Sequence, residues 1–285
     1  AVDGALQFIN KNYDKKFFLY VSLSIPHGPK DPAHSWDADP RITPYGFLAQ
    51  APNVLPPRTG LTARVNAAGF PNDENFLWLD DSVAAVLKSL SDHNVRNNTA
   101  IVFISDHGMA LKGTIFLGGS TTAGFIWYRG FHGHIGQLTS NVDIQPTLLD
   151  MFGAPPEGDG VSMLPLLNGG TAPVRNHVFL ELGYARALIE DGYEYIAVRH
   201  TDYINKVLAR RGEPPVHWPI MNGDIWSFET DGMATYPHYL DQDQLYDYRA
   251  DPKQQNNLYG QAQYQDIVNK MQKELQDEVD KRPGS

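Results

Sequence analysis

Thr99-Ala100-Ile101-Val102-Phe103-Ile104-Ser105-Asp106-His107-Gly108 is the stretch that decides the fold. Residues 99–105 are nearly all apolar or β-branched, which is typical of a strand buried on both faces of a parallel sheet. Because ligands bind at the carboxyl ends of strands in open α/β sheets, we expect Asp106 and His107 to reach one metal there. The alternative is a strand-end turn capped by Asp106, in which Gly108 lets the backbone turn sharply.

A second strand of this kind lies upstream, at residues 17–24, where aromatic and aliphatic side chains dominate. Between the two strands, apolar residues at helical spacing predict a helix that Asn72 or Asp73 caps and that runs to about Asp92. The order strand, helix, strand predicts a right-handed crossover between parallel strands. Residues 28–72 show little periodicity and many turn residues, so we expect a long surface excursion there.

Downstream of Gly108 the pattern is that of shorter elements. Together with the upstream elements they predict an α/β fold, in which residues 1–173 form a parallel-sheet core. A smaller α+β subdomain is expected over residues 174–285. The downstream elements predicted are a strand at 124–128, a helix from Asp143 with Pro146 in its first turn that ends before Gly153, strands at 177–182 and 193–199, an irregular stretch at 201–243 and an amphipathic helix at 264–279.

Composition narrows the function classes. The formal net charge of −10 argues against a nucleic-acid partner, although a local group of cations can still hold one sulfate or phosphate. The chain has no cysteine, which excludes disulfides, thiolate metal sites and a cysteine nucleophile among these residues. No run approaches the roughly 18 apolar residues of a membrane span, so none is expected.

Two further residues are candidates for chemistry. His27 follows the first predicted strand between Pro26 and Pro29, which restrict the backbone and would aim the imidazole. Lys112 follows Asp106 closely and could bind an oxyanion or protonate a leaving group. The alternatives are a structural histidine that makes a hydrogen bond and a solvated surface lysine.

Short motifs follow one another along nearly the whole chain in a characteristic order. No single motif is decisive, but the ordered set is specific, and it resembles the sulfatase family of the alkaline phosphatase superfamily. The motifs are Pro26-His27-Gly28-Pro29, Asp106-His107-Gly108, Lys112-Gly113-Thr114 with Gly118-Gly119, Asp143-Ile144-Gln145-Pro146-Thr147, Asp159-Gly160-Val161-Ser162 with Pro165-Leu166-Leu167, Leu245-Tyr246-Asp247, Asp251-Pro252 and Asn257-Leu258.

The resemblance implies an alkaline-phosphatase-like core that is incomplete in this chain. It also implies hydrolysis of sulfate esters, with a sulfated carbohydrate as the expected substrate. It implies that Asp106 and His107 ligate a divalent metal, usually calcium. Since many relatives have Asn in place of His107, and imidazole also suits manganese or zinc, those metals stay open. His27 would lie beside the sulfate, and Lys112 would hold a sulfate oxygen and assist the leaving alkoxide. A periplasmic, secreted or lysosomal location is the family's usual one.

The family's nucleophile is formylglycine, made from Cys or Ser in a Cys/Ser-x-Pro-x-Arg motif, and no such motif occurs here. Residues 171–175, Thr-Ala-Pro-Val-Arg, fit the spacing with Thr in front, but Thr cannot give the aldehyde, and we interpret them as a linker. We therefore expect formylglycine on a missing N-terminal portion of the same enzyme, which would be this chain's partner. A local mismatch around Lys112 (Leu117, Thr121 and Ala123, where relatives often have an acid, an Arg and a Pro) weakens its assignment.

Two other functions stay open. One is a phosphodiesterase or phosphonate monoester hydrolase of the same superfamily, whose two metals could use His132 or His134. The other is a non-catalytic fragment or binding protein with the sulfatase fold. Aromatic residues in the irregular stretch could form a wall on which a sugar stacks, or could simply pack the subdomain: Trp218, Trp226, Tyr236 and His238.

Overall fold

The structure is a computed structural model that describes residues 1–27, 39–43, 46–128, 130, 131, 133–218 and 227–282. Contacts divide the chain into two units, residues 1–100 and residues 101–285. Each unit is described separately below.

The first unit is mainly helical. The predicted helix is confirmed as Glu74–Asp92, with Asp73 at its N-cap position. The N-terminal helix, which the sequence pattern did not suggest, packs against it through Ala5 and Ile9. The elements in chain order are α1 (Val2–Asn12), β1 (Ile42–Thr43), β2 (Gly46–Phe47), α2 (Leu61–Ala67) and α3 (Glu74–Asp92). Part of the predicted surface excursion is therefore ordered as β1, β2 and α2.

Residues 17–24 are extended, but they form no strand pair within the described residues. Their exposure alternates along the segment, with Phe18 72% exposed and Tyr20 80% exposed. Phe17 points the other way and meets Phe8 of α1 edge-on, with ring centroids 5.9 Å apart. The side-chain period of a strand is thus present, whereas the hydrogen-bonded neighbour that defines a strand is not among the described residues.

The second unit carries the predicted strand of residues 99–105, observed as Ile101–Ile104, and the terminal helix, observed as Gln265–Asp280. Its elements in chain order are β3 (Ile101–Ile104), α4 (Leu117–Ser120), β4 (Gly124–Trp127), α5 (Ile144–Met151), α6 (Leu164–Leu167), β5 (Val178–Leu182), β6 (Ala185–Glu190), β7 (Tyr193–Val198), α7 (Asp202–Arg211), α8 (Ser227–Thr235), β8 (Asp243–Asp247) and α9 (Gln265–Asp280).

The pairing of β3 differs from the parallel crossover that the sequence predicts. In the described residues β3 pairs antiparallel with β4, in the register Ile101↔Trp127. Phe103 and Phe125 stack across the pair, with centroids 5.4 Å apart. Because no second neighbour flanks β3 in the described part, Ile104 is 40% exposed rather than buried. The parallel pairing of β3 with residues 17–24 is not among the described strand pairs.

Asp143 does more than cap a helix. Its carboxylate is fully buried and accepts hydrogen bonds from the backbone N–H groups of Ser140 and Val161, both at 2.8 Å. The Arg175 guanidinium completes the arrangement with two donors to the same carboxylate. Thr147 joins the same two segments, since its Oγ1 accepts from the N–H of Met163 at 2.8 Å. The Asp143–Thr147 and Asp159–Ser162 motifs therefore hold each other in place.

A four-stranded antiparallel sheet in the order β5-β6-β7-β8 dominates the rest of the unit. Strand β6 was not predicted from the sequence, because its alanines have low strand propensity. The signal that could have found it is Asp191-Gly192, where both residues have positive φ, as a two-residue hairpin turn requires. Ala185 and Ala187 are fully buried, and their small size lets aromatic rings pack against the sheet.

The sheet is covered on both faces, which follows from the two-residue period of its strands. On β7, Ile196 and Val198 face a cluster that includes Phe116 and Tyr236. The alternate residues Tyr195 and Ala197 face α9. The helix meets them with side chains at helical spacing, Val268, Met271 and Leu275.

The stretch predicted as irregular, residues 201–243, contains two helices. Helix α7 is preceded by the N-cap residue Thr201, whose side chain accepts from the N–H of Ile204, and is followed by Gly212 in the left-handed region. Both are ordinary helix boundary signals. Only Leu208 of α7 is buried, so the helix lacks the apolar periodicity that would have revealed it. The proposed domain boundary at residues 173 and 174 stays a prediction.

No helix in the described part of the chain is both long and apolar enough to span a membrane.

We predict that Arg175→Ala destabilises the protein by about 3–5 kcal/mol, because it leaves the buried Asp143 carboxylate without its cation. Urea unfolding followed by circular dichroism measures the change. Arg210, exposed on α7, is the matched control, and Arg210→Ala should stay within about 0.5 kcal/mol of wild type. Equal effects of the two substitutions would contradict the role assigned to the ion pair.

Candidate active site

The turn after β3 is fixed by Ser105. Its N–H donates to the carbonyl of Ala123 at 2.8 Å, and its hydroxyl accepts from the N–H of Ala123 at 2.9 Å. The same hydroxyl donates to the carbonyl of His107 at 3.0 Å. Residues 106–108 therefore leave the strand along a defined path.

Gly108 is required for close packing more than for a sharp turn. Its N–H donates to the carbonyl of Gly119 at 2.8 Å, and the N–H of Ala110 donates to the carbonyl of Gly118 at 3.0 Å. A methyl group on Gly108 would overlap the carbonyl oxygen of Gly118 and lie 2.9 Å from that of Thr121. The turn and α4 thus touch backbone to backbone, which explains why glycines occur in both motifs.

Asp106 and His107 lie together at the surface of this turn. The Asp106 side chain is 84% exposed, and its Oδ2 is 3.5 Å from Nε2 of His107. Nδ1 of His107 is 2.7 Å from the carbonyl oxygen of Gly108. Because a carbonyl oxygen can only accept, Nδ1 carries the proton, and Nε2 of the neutral ring keeps its lone pair.

These two side chains fit part of a metal site. A lone pair on Nε2 and a carboxylate oxygen face the same space, and a hydrogen bond from Nδ1 to a backbone carbonyl is the usual support of a metal-bound histidine. No group of three or more His, Asp or Glu side chains is arranged for a metal in the described residues. Calcium takes six to eight ligands, so Asp106 and His107 would supply a minority of them.

Lys112 lies on the loop between this turn and α4. It is exposed, and within the described residues its ammonium group makes no ion pair. The loop is shaped by Leu111 and Gly113, which both have positive φ, and by Thr114, whose hydroxyl donates to the carbonyl of Leu111 at 2.9 Å.

His107 and Lys112 line one open cleft of about 350 Å³. Its other walls are largely apolar, with Trp218 and Phe228 on one side and the end of β5 on another. The structure therefore brings together two of the candidates found from sequence, with Asp106 adjacent to His107 in the chain. An imidazole, an ammonium group and aromatic surface in one cleft can hold an anionic ester and its organic part.

His27 belongs to the first unit. Its N–H donates to the carbonyl of Ser24 at 3.0 Å, the Ile25–Pro26 bond before it is cis, and its side chain is exposed. Asn75, at the start of α3, donates to the carbonyl of Pro26 at 3.3 Å and so anchors the turn to the helix.

The residues considered for a sugar-stacking wall have different surroundings in the structure. Trp218 lines the cleft, whereas Tyr236 is 5% exposed and stacks on Phe116 in the core. His238 pairs with Asp241 at 2.9 Å on the surface. Trp226 and His132 lie outside the described residues. Packing is therefore the role of Tyr236, as the alternative interpretation held.

Sequence reasoning missed the residues that support the site from the C-terminal sheet. The side chain of Gln254, which is buried, accepts from the N–H of Leu117 at 2.8 Å and donates to the buried carboxyl of Glu194. Leu117 is the first residue of α4, so this pair holds the helix against which Gly108 packs. Gln254 is 137 positions from Leu117 and 60 positions from Glu194 along the chain, and no local pattern indicates either contact.

The fold is the alkaline-phosphatase-like α/β fold of sulfatases, as predicted. A solved structure from Bacteroides thetaiotaomicron, described for the metabolism of multiple glycosaminoglycans, superposes with a TM-score of 0.63 at 19% identity over 99% of this chain and 54% of that chain. The phosphonate monoester hydrolase of Agrobacterium radiobacter superposes less closely, with a TM-score of 0.52 at 19% identity over 86% of this chain and 47% of that chain.

The family follows from the sequence match. The family model named Sulfatase matches residues 1–154, and the chain belongs to the sulfatase family. The ulvan-active sulfatase of Formosa agariphila is 26% identical over 284 aligned residues, which cover 93% of this chain and 52% of the relative. The chain spans about half the length of the curated relatives it matches.

The buried carboxyl of Glu194 predicts that the free energy of unfolding depends on pH. Burial raises the pKa of Glu194 to about 8 from its ordinary value of 4.5. The stabilisation that comes from its proton is present below pH 4.5 and is lost as the pH rises to about 8. Across that window Glu194 should lower the free energy of unfolding by about 1.4 kcal/mol per pH unit.

Glu194→Gln should remove this slope, since the amide does not titrate. Urea unfolding of wild type and variant at several pH values between 5 and 8 measures it. Glu157→Gln, at an exposed position, is the control and should keep the wild-type slope. Parallel curves for wild type and Glu194→Gln would show that the carboxyl does not stay protonated in the fold.

Proposed function

We propose that the protein to which this chain belongs is a sulfuric ester hydrolase that acts on a sulfated carbohydrate. The observation that carries the proposal is the cleft of this sulfatase-family chain in which His107 and Lys112 meet beside an aromatic wall. The substrate class is supported by the ulvan-active relative and by the neighbour described for glycosaminoglycan metabolism.

Each candidate residue has a proposed role. Lys112 holds a sulfate oxygen by its positive charge and gives a proton to the leaving alkoxide. Trp218 and Phe228 offer apolar surface to the ring of the sugar, a contact that fits aromatic side chains. His27 is a further proposed catalytic residue beside the sulfate.

Asp106 and His107 are the proposed ligands of a divalent metal. Calcium is the metal we propose, and the imidazole of His107 leaves manganese and zinc as the alternatives. When bound, the metal would stabilise negative charge on the transferring sulfuryl group. Oδ2 of Asp106 and Nε2 of His107 lie 3.5 Å apart, so both would be near enough to contact one ion.

The nucleophile is proposed to come from outside these 285 residues. The chain has no cysteine and no Ser-x-Pro-x-Arg sequence, so it does not encode formylglycine by the family's motif. Arg175 of the Thr171–Arg175 segment, which we interpret from the sequence as a linker, donates to the carboxylate of Asp143, so this end of the segment is fixed in the fold. The proposed partner of this chain is therefore a formylglycine-bearing portion of the same enzyme.

Asp106→Ala tests the metal assignment. In the protein that carries the nucleophile, we expect it to reduce bound metal and to lower the turnover of glucosamine 6-sulfate by about a hundredfold or more, since metal charge stabilisation is worth several kcal/mol. Elemental analysis and sulfate release measure the two effects. Asp202→Ala, on exposed α7, is the control. Unchanged metal stoichiometry would count against Asp106 as a ligand.

His27→Ala should keep the fold and lose most turnover, because general acid–base residues typically contribute about 10² to 10⁴ in rate. Circular dichroism and sulfate release are the measurements, and His93→Ala on the same unit is a matched control. Wild-type turnover in His27→Ala would remove the catalytic role. Hydrolysis of a phosphonate monoester in preference to any sulfate ester would instead support the other superfamily activity.

A further inference from the structure

Two aromatic residues of the C-terminal part contact the loop that carries Lys112. The indole Nε1–H of Trp218 donates to the carbonyl of Gly113 at 2.7 Å. The ring of Phe228 lies against the other side of Gly113, since a methyl group there would be 2.7 Å from Phe228 Cδ2. The residue next to Lys112 is therefore held between two aromatic side chains.

Trp218 is itself held by a buried carboxylate. Glu229 is 1% exposed, and its two oxygens accept from the backbone N–H groups of Trp218, at 2.7 Å, and of His217, at 3.1 Å. A buried carboxylate with two backbone donors is a rigid anchor, because losing either bond would leave charge without a partner. The contacts run from Glu229 through Trp218 to the Lys112 loop.

We propose that Trp218 is a positioning residue that aims the ammonium group of Lys112 at the leaving oxygen of the substrate. The hydrogen bond to Gly113 fixes the backbone beside Lys112, whose long side chain would otherwise sample many rotamers at this exposed place. The proposal rests on the proposed function, because it gives Lys112 the part of general acid.

The proton transfer it serves is simple. As the S–O bond to the sugar breaks, its electron pair stays on the sugar oxygen, and the sulfuryl group passes to the nucleophile. The ammonium group of Lys112 donates a proton to that oxygen and becomes a neutral amine, which recovers a proton from water. A sugar alkoxide is a poor leaving group and needs this proton, whereas 4-nitrophenolate leaves readily without it.

Trp218→Phe keeps an aromatic ring in the cleft and removes the N–H donor together with part of the indole ring surface, a loss of size that the Trp78→Phe control reproduces. We expect its kcat on glucosamine 6-sulfate to fall about tenfold or more, with KM within about twofold, because a misplaced general acid loses part of its 10² to 10⁴ contribution. On 4-nitrophenyl sulfate its kcat should stay within about threefold of wild type, since that leaving group makes little use of the proton.

Trp78→Phe is the matched control for the chemical change, because Trp78 lies on α3 and stacks with Arg58 in the other unit. It should leave both substrates unaffected. Amide hydrogen exchange in residues 111–114 should accelerate in Trp218→Phe and not in Trp78→Phe.

The possible outcomes distinguish a failure of the proposed function from a failure of the proposed role of Trp218. If the wild-type protein that carries the nucleophile hydrolyses neither ester, the proposed function falls and the role of Trp218 falls with it. If wild type is active and Trp218→Phe slows both esters equally, the residue is merely structural. If neither ester is slowed, Trp218 does not position Lys112. Only selective loss on the sugar sulfate supports the proposal.

Discussion

The candidate site depends on one close approach of backbone to backbone. Gly108 donates to the carbonyl of Gly119, and Ala110 donates to the carbonyl of Gly118, so the turn after β3 and helix α4 interlock. Gly119 tolerates no side chain either, because a methyl group would lie 2.6 Å from the carbonyl oxygens of Leu111 and Thr114. This contact makes residues 106–120 one folded element, and His107 and Lys112 are both carried on it.

That element is held by the C-terminal part of the chain at two points, neither of them in a strand. Gln254 accepts from the first N–H of α4, and Trp218 donates to the carbonyl of Gly113. A four-residue helix such as α4 could not hold its conformation alone, since a short helix gains little from its internal hydrogen bonds. The C-terminal part is thus a support of the site, although it contributes none of the candidate metal ligands.

Many of the helices and strands could be predicted from local sequence patterns. The other elements and the supports of the site could not, because they leave no pattern in the local sequence. Apolar periodicity predicts helices α3 and α9 and strands β3, β4, β5 and β7. The family resemblance was confirmed. Helix α7 buries one residue and so shows no periodicity, while β6 is alanine-rich because the rings of Phe116, Tyr236 and Tyr239 lie in the same cluster and need the space. The supports of the site, Gln254 and Trp218, act across more than 100 positions and have no local signature.

The motifs that revealed the family do not all carry chemistry. Asp143 is wholly enclosed by Arg175 and by two backbone N–H groups, and it has no oxygen left for a ligand. Asp106 is 84% exposed, and its Oδ2 lies 3.5 Å from Nε2 of His107. Both aspartates lie in short motifs on which the family resemblance rests. Burial and hydrogen-bond saturation separate them, since a carboxylate can bind a metal only with lone pairs that the fold leaves free. A motif of this kind therefore identifies the fold. Whether its side chains can also bind a metal depends on their accessibility.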